Sequence, residues 1–200
     1  MADTVTASPA VSATIGLKNV VIAPLTTDTA EGHTYGTVQA LAGAIEASVT
    51  PDNTDPDILY ADDIEFDTLY ADPSVSFKLK MADIPLSIQE MLFGNEIDDK
   101  GVLIRTAQDK PPYFAVGFKS EKSNGKYRYV WLLKVRAKPI TETFATKEGD
   151  TVTRQTPEVE LTAIKRTCDG RWQLVADEGE NGFSDGATFL DSVYEPTFNK

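Results

Sequence analysis

The chain has 200 residues and carries 31 acidic and 19 basic side chains, a formal net charge of −12. This length suits one domain with a sizeable core. The single cysteine, Cys168, excludes an intramolecular disulfide and argues against a cysteine-based zinc site. The single histidine, His33, lies far from it in sequence, which leaves little for nucleophilic or metal-assisted hydrolysis.

The composition also predicts how the chain is divided. We expect residues 1–14 to form a flexible N-terminal arm, residues 15–177 the domain, and residues 178–200 a C-terminal arm. Near the N-terminus no basic head precedes an apolar run, and no stretch approaches the length of a membrane span. We therefore expect neither a signal peptide nor a membrane partner.

The negative charge is concentrated in the first part of the chain. Residues 1–72 hold twelve acidic side chains and one basic one, Lys18, and residues 52–72 hold eight acidic side chains and no basic one. Such a surface repels nucleic acid phosphates instead of gathering them. The simplest interpretation is a solvated face that keeps the protein soluble.

Alternation of apolar and polar residues predicts strands in the first half of the chain. The clearest is SVSFKLKM at 74–81, whose apolar face would carry Val75, Phe77, Leu79 and Met81. Weaker patterns lie at Leu17–Ala23, Ala44–Thr50 and Ile64–Leu69.

Residues 59–72 read LYADDIEFDTLYAD, in which LYAD occurs twice. The first copy continues through Asp62 and Asp63 as YADD, which resembles the metal-binding signature of reverse-transcriptase-like polymerases. Two-metal catalysis needs a further carboxylate and basic groups for the triphosphate, and no basic residue lies nearby. A four-letter match in an Asp-rich stretch is a weak signal, so we expect no metal site. Between the copies, Glu65 and Asp67 share the polar face of a strand.

One good helix is predicted, in ADIPLSIQEMLFGN at 82–95. Asp83 would cap its N-terminus, Pro85 is tolerated in the first turn, and Gly94 can take the left-handed conformation that ends a helix. Its apolar stripe would pack on a sheet through Leu86, Ile88, Met91 and Leu92.

The strongest local signal is an aromatic hairpin between residues 111 and 139. Asn124-Gly125 suits a two-residue type I′ turn, in which both positions need positive φ. This turn would set three cross-strand pairs on one buried face: Phe118 with Trp131, Val116 with Leu133, and Phe114 with Val135.

A second hairpin is predicted at 158–177, with its turn at Asp169-Gly170. It would place on one face Val159, Leu161, Ala163, Trp172, Leu174 and Ala176. A short helical turn is predicted within 185–196. The polar stretch 137–157 is long for a loop in a compact domain, and such loops are usually functional or disordered.

Together these elements predict a mainly β protein, an antiparallel β-sandwich or barrel with one flanking α-helix, a long polar loop and terminal arms. Its core would include Trp131, Phe118, Leu133, Phe114, Phe77 and Leu79. Open sheets must protect their edges, and pairing with sister subunits is one way to do so. The arms and the long loop therefore indicate assembly as much as catalysis.

An ordered series of short blocks over residues 15–196 resembles the major tail tube proteins of long, non-contractile bacteriophage tails. It begins with IGLKNVVIAPLT and HTYGTVQALAGAIEASVTPD, and the LYAD echo then leads into SVSFKLKM. The helix, the hairpin around KYRYVWLLK, TPEVELTAIKR, DGRW and SVYEP follow in order. The order of the blocks carries the resemblance, since no single block is diagnostic.

The resemblance implies a structural virion protein without a catalytic, cofactor or metal site. Such proteins form six-fold rings that stack into a hollow tube, meet other tail proteins at the tube ends, and let double-stranded DNA pass during ejection. It implies assembly in the host cytoplasm and a final place in the phage tail. A negative wall would keep DNA phosphates off the lumen, and the candidates to face the lumen are Glu65, Asp67, Asp62 and Asp63. The loop at 137–157 would contact the next ring.

Two other functions stay open. A carbohydrate-binding or adhesion module is also a β-sandwich, but it would usually expose a planar set of aromatic side chains, whereas the aromatics here alternate into predicted core faces. A β-rich, metal-dependent nuclease or polymerase fragment is the enzyme alternative, and it needs the metal site argued against above.

Overall fold

The computed structural model of the protein describes residues 11–51, 57–61, 64–69, 74–140, 142, 146, 156–180 and 182–198, with the backbone alone described at 57–61 and 64–69. These residues form one helix, α1 (Leu86–Phe93), and thirteen strands. The strands are β1 (Thr14–Thr29), β2 (Gly32–Tyr35), β3 (Gln39–Ala40), β4 (Ala44–Pro51), β5 (Asp57–Ala61), β6 (Ile64–Leu69), β7 (Val75–Met81), β8 (Glu96–Ile97), β9 (Leu103–Ile104), β10 (Tyr113–Lys122), β11 (Tyr127–Ala137), β12 (Glu158–Ala163) and β13 (Gln173–Asp177).

Most of these strands belong to one curled antiparallel sheet. Its order is β2-β1-β10-β11-β12-β7-β4, and β3 and β13 pair in addition with β1 and β11. β1 and β4 contact each other near opposite ends of this order, which folds the sheet around an apolar interior. The fold is therefore a mainly β, antiparallel sandwich with one flanking helix, as the sequence predicts.

The first core lies inside the curled sheet. The predicted alternation of β7 is confirmed, because its four inward side chains are at most 1 % exposed: Val75, Phe77, Leu79 and Met81. Leu92 and Phe93 of α1 are buried against the same cluster. Removing these apolar side chains from water supplies the main favourable term of folding.

The turn of the aromatic hairpin differs from the prediction. The Lys122 N–H donates to the carbonyl oxygen of Lys126 (2.8 Å), and this bond encloses three residues, 123–125, instead of two. Gly125 has φ 78°, whereas Asn124 has a negative φ. This is a type I turn followed by a left-handed residue, so the predicted two-residue type I′ turn is wrong.

The longer turn shifts the pairing of β10 with β11 by one residue. The observed pairs near the middle are Phe118 with Val130, Gly117 with Trp131, and Val116 with Leu132. An extra residue in β11 then forms a bulge, and the predicted pair of Phe114 with Val135 is restored beyond it. The predicted pairs Phe118–Trp131 and Val116–Leu133 are therefore wrong.

This register gives the sheet a second core on its outer face, centred on Trp131. All six residues predicted for the core are buried, but Trp131 and Leu133 belong to the second core, whereas the other four belong to the first. Residues 182–198, which we call the C-terminal segment, cover it. The indole N–H of Trp131 donates to the carbonyl oxygen of Phe189 (2.9 Å), and Phe189 and Val193 are buried. The stretch predicted as a C-terminal arm thus contributes to a core.

The predicted second hairpin does not form a ladder. β12 pairs with residues 135–137 of β11, and β13 pairs with residues 128–132 of the same strand. The predicted turn is present, with Gly170 at φ 69°. However, β12 and β13 both pair with β11, one after the other along the same edge of this long strand. Leu174 and Ala176 consequently pack against the second core, whereas Val159 and Leu161 are buried in the first.

The start of α1 also differs from the prediction. Pro85 is the N-cap residue, and its carbonyl oxygen accepts the first hydrogen bonds of the helix. Asp83 lies too early to cap, and its carboxylate accepts instead from the N–H of Ile84 (2.8 Å). Gly94 has φ 70° and ends the helix in the left-handed conformation, as predicted. Leu86, predicted to pack on the sheet, is exposed.

A buried ion cluster ties β13 to the aromatic hairpin. Lys122 Nζ lies 2.7 Å from Asp177 Oδ2, and Arg128 Nη2 lies 3.0 Å from the same oxygen. Burial alone would raise the pKa of the Asp177 carboxyl, but the hydrogen bonds from Lys122, from the Gly179 N–H and from Arg128 outweigh it and lower the pKa to about 2.

Candidate functional site

Two described pairs of strands adjoin the acidic stretch of the sequence. β4 pairs with β7, and β5 pairs with β6. The last pair of the first ladder is Pro51 with Val75, and the first pair of the second is Asp57 with Leu69, six positions further along each strand. The two ladders therefore share one register where they face each other, and each contains one shift further away from that point. We call strands β4, β5, β6 and β7 together the acidic hairpin.

Two of the four acidic residues predicted to face a lumen lie on a described strand. Glu65 and Asp67 belong to β6, and they pair with Tyr60 and Leu59 of β5. Asp62 and Asp63 lie outside the described residues. The orientation of the four carboxylates stays a prediction.

β4 is the last strand in the order of the sheet. Among the described strands it pairs with β7 alone, so its other edge presents backbone N–H and C=O groups that a further strand can pair with. Its inward residues Ala44, Ala47 and Val49 pack against the first core. The remaining residues of the strand are exposed: Ile45, Glu46, Ser48, Thr50 and Pro51.

The residue types that carry catalysis in other proteins meet elsewhere, at a site we call the Arg166 cluster. His33 Nδ1 lies 3.0 Å from Cys168 Sγ, although 135 positions separate the two in sequence. The cluster draws on five parts of the chain: Asp28 of β1, His33 and Tyr35 of β2, Lys134 of β11, Arg166, Thr167, Cys168 and Asp169 between β12 and β13, and Glu195 of the C-terminal segment.

Arg166 lies at the centre of this cluster, and its side chain is fully buried. Its Nε and Nη2 donate to the two carboxylate oxygens of Asp169, at 3.2 and 2.6 Å. Its Nη1 lies 2.7 Å from His33 Nε2 and 3.1 Å from Glu195 Oε1. These partners are needed because a buried charge without partners costs several kcal/mol.

The electrostatics indicate that the Arg166 cluster stabilises the fold and does not activate Cys168 as a nucleophile. Burial raises the pKa of the Cys168 thiol, and the nearby Asp169 carboxylate raises it further. The thiol therefore stays protonated near neutral pH, and a protonated thiol is a weak nucleophile. Burial alone would lower the pKa of Arg166, but its hydrogen bonds to Asp169 and Tyr35 raise the pKa above its ordinary value.

A second carboxylate fastens the same turn to the sheet. Lys134 Nζ donates to Asp28 Oδ2 (2.5 Å), and the backbone N–H and the hydroxyl of Thr167 donate to the two oxygens of Asp28, each at 2.9 Å. Burial alone would raise the pKa of Asp28, but these hydrogen bonds lower it. The Asp28 carboxylate thus stays ionised and joins β1, β11 and the turn after β12.

The sequence does not indicate the Arg166 cluster, because no motif or spacing connects His33 with Cys168. Its members come from separate segments that only the pairing of β1, β2 and β11 and the packing of the C-terminal segment bring together. Of the polar loop at 137–157, which was predicted to contact a neighbouring ring, most residues lie outside the described part of the chain.

In the part of the chain that the structure describes, no three His, Cys, Asp or Glu side chains are grouped so as to hold a metal ion. The helix found there, α1, has eight residues and is too short to cross a membrane. No protein-family model matches the sequence, and no curated protein matches it.

Proposed function

We propose that this protein is a structural subunit that assembles into six-fold rings stacked as a tube, and that the tube is the DNA conduit of a phage tail. The proposal starts from the resemblance of the ordered sequence blocks to major tail tube proteins. It places the protein in the virion after assembly in the host cytoplasm, with other tail proteins at the tube ends. It assigns no catalytic, cofactor or metal-binding role.

The observation that carries the proposal is the unpaired outer edge of β4. An eight-residue edge strand with exposed Ile45 is a template for pairing with another chain. A ring of identical subunits joined by different surfaces closes when each copy offers one edge and accepts another. β13 also pairs on one side alone among the described strands, so the sheet has a second strand at which a neighbour can join.

The charge distribution supports the same function. In the sequence, residues 52–72 hold eight acidic side chains and no basic one. A conduit must let DNA slide without holding it, and negative side chains repel phosphates. The charge therefore suits a passage for DNA and not a surface that binds it.

The test is negative-stain microscopy of the purified protein at high concentration. We expect rings or tubes from the wild type and folded, unassembled protein from Ile45→Lys, since a charge on the β4 edge opposes strand pairing. Val102→Lys is the matched control, because Val102 is 55 % exposed and Ile45 is 51 % exposed. This control should assemble like the wild type.

Two outcomes would contradict the proposal. The first is a wild-type protein that stays monomeric at all concentrations, above all if it binds glycans, which would favour the carbohydrate-binding alternative. The second is normal assembly of Ile45→Lys. This result would show that subunits do not join at the β4 edge, which is the observation on which the proposal depends.

A further inference from the structure

His33 connects three parts of the molecule that are distant in sequence. It lies on β2, its Nδ1 meets Cys168 in the turn after β12, and its Nε2 lies 2.6 Å from Glu195 Oε1 of the C-terminal segment. Its side chain is 16 % exposed, whereas that of Glu195 is 51 % exposed. The imidazole is thus fixed within the fold, and the carboxylate that it meets is at the surface.

The Nε2 atom of His33 faces two groups that make opposite demands on it. Arg166 Nη1 lies 2.7 Å away and is a donor, so a hydrogen bond to it needs a lone pair on Nε2. Glu195 Oε1 lies 2.6 Å away and is an acceptor, so a hydrogen bond to it needs a proton on Nε2. One nitrogen cannot satisfy both at once, so the presence or absence of a proton on Nε2, set by the tautomer or the charge of the ring, decides which bond forms.

We propose that the protonation state of His33 controls how firmly the end of the C-terminal segment is held. When the imidazole is neutral with its proton on Nδ1, Nδ1 donates to Cys168 Sγ and Nε2 accepts from Arg166. Glu195 then keeps Arg166 alone as its partner. When the imidazole gains a proton, Nε2–H donates to Glu195, which adds a charge-assisted hydrogen bond to the segment.

Arg166 tolerates the loss of its bond to His33. Asp169 holds its guanidinium through two hydrogen bonds, and Glu195 accepts a third. Protonation of His33 adds one positive charge, and the four groups then carry two positive and two negative charges. The hydrogen bond from Nε2 to Glu195 therefore forms when His33 gains a proton.

The other titratable groups around His33 do not compete for this proton. Asp28, its cross-strand neighbour on β1, is hydrogen-bonded to Lys134 and Thr167. The Tyr35 hydroxyl donates to the carbonyl oxygen of Leu133, and burial raises its pKa to about 12. The cleft beside His33, of about 510 Å³, adds the carboxylate of Asp191 from the C-terminal segment.

The effect should be confined to the end of the segment. Phe189 and Val193 hold its middle in the second core, together with the bond from the Trp131 indole to Phe189. Apolar packing of this kind does not depend on pH. Tyr194 also stacks on Phe189, with ring centroids 5.0 Å apart. Residues 195–198 follow this anchored part, and they are held by the contacts of Glu195 and by the packing of Arg171 on the Phe198 ring.

The experiment is amide hydrogen exchange of the full-length protein at pH 5.5 and pH 8, corrected for the intrinsic rate at each pH. In the wild type we expect the amides of Glu195, Thr197 and Phe198 to be about three- to tenfold more protected at pH 5.5, the range for one partly exposed, charge-assisted hydrogen bond. The amides of β7 should show no such change. His33→Gln should abolish the pH dependence.

Glu195→Gln gives an independent arm, because Glu195 is half exposed and its replacement does not threaten folding. This variant should also lose the pH dependence. Glu180→Gln is the control and should keep it, because Glu180 is exposed and precedes the C-terminal segment. Equal protection at both pH values in the wild type would overturn the proposal. A pH dependence of amide protection that survives in Glu195→Gln would overturn it as well.

Discussion

Gly117 on β10 and Trp131 on β11 are direct cross-strand partners, and the indole occupies the space above the glycine. A Cβ atom on Gly117 would lie 2.8 Å from the ring atoms Cη2 and Cζ3 of Trp131. The missing side chain at Gly117 therefore makes room for the largest residue of the second core. The pairing exists because the three-residue turn shifts the register by one position.

Gly117→Ala should destabilise the protein by about 1–3 kcal/mol, since the added methyl group forces a buried aromatic ring to move. Gly16→Ala is the control, because it also lies on a strand and its added Cβ would meet no atom closer than 4.0 Å. Denaturant melts of both variants measure the difference. Equal stabilities would mean that the indole has room to move aside.

Trp131→Ala should cost about 3–5 kcal/mol of unfolding free energy, the range for removing a large buried aromatic side chain. It also leaves the carbonyl oxygen of Phe189 without its indole donor. Val175→Ala, an exposed position on the neighbouring β13, should change stability by less than about 0.5 kcal/mol. A loss below about 1 kcal/mol for Trp131→Ala would show that the second core contributes little.

Asp177 should make stability depend on pH below about 4. Its pKa is lowered from 3.8 to about 2 in the folded protein, so its stabilisation, about 2 kcal/mol, is fully present above the unfolded pKa and is lost as pH falls through the folded pKa. Urea melts of the wild type and Asp177→Asn from pH 6 to pH 2 should therefore converge. A difference that stays constant over this range would exclude the carboxylate as its source.

The alternation of side chains was enough to predict most strands and the burial of six core residues. β6 has the predicted limits, and β7 begins one residue later than predicted, at Val75. The faces of the aromatic hairpin could not be predicted, since Asn124-Gly125 suits a two-residue turn as well as the observed three-residue turn of 123–125. One residue of difference in the turn moves Trp131 to the opposite face.

The candidate site was predictable only in part, and the reason is the distance along the chain. The strand that carries Glu65 and Asp67 was predicted from its local pattern, whereas its partner β5 was not. The Arg166 cluster depends instead on contacts between residues more than a hundred positions apart, such as His33 with Arg166. The periodicity of apolar residues carries no information about contacts between residues so far apart in the sequence.

Asp62 and Asp63 should not form a metal site, because the sequence around them supplies no basic partner for a nucleotide. Calorimetry with magnesium or manganese should show no tight binding to the wild type. Replacing both residues with Asn should then leave the titration unchanged. Micromolar binding that the double substitution abolishes would revive the nuclease or polymerase alternative.

If the protein is the proposed tail tube subunit and these residues face its lumen, Glu65→Lys with Asp67→Lys should leave assembly intact and slow DNA ejection by phage that carries the variant. The slowing should be larger at low salt, because ions screen charges over about 10 Å at 0.1 M. Glu96→Lys with Asp99→Lys, at exposed positions outside the acidic hairpin, is the charge-matched control. Ejection at wild-type rates at every ionic strength would place Glu65 and Asp67 away from the DNA.

The register shared by the two ladders of the acidic hairpin restricts how its reach can change during evolution. Two residues added to each strand lengthen the hairpin by about 6.8 Å and keep every side chain on its original face. One residue added to one strand alone creates a bulge or exchanges the two faces beyond the insertion, and each ladder already contains one such shift. The length of this element therefore changes most simply through matched insertions of two residues in each strand.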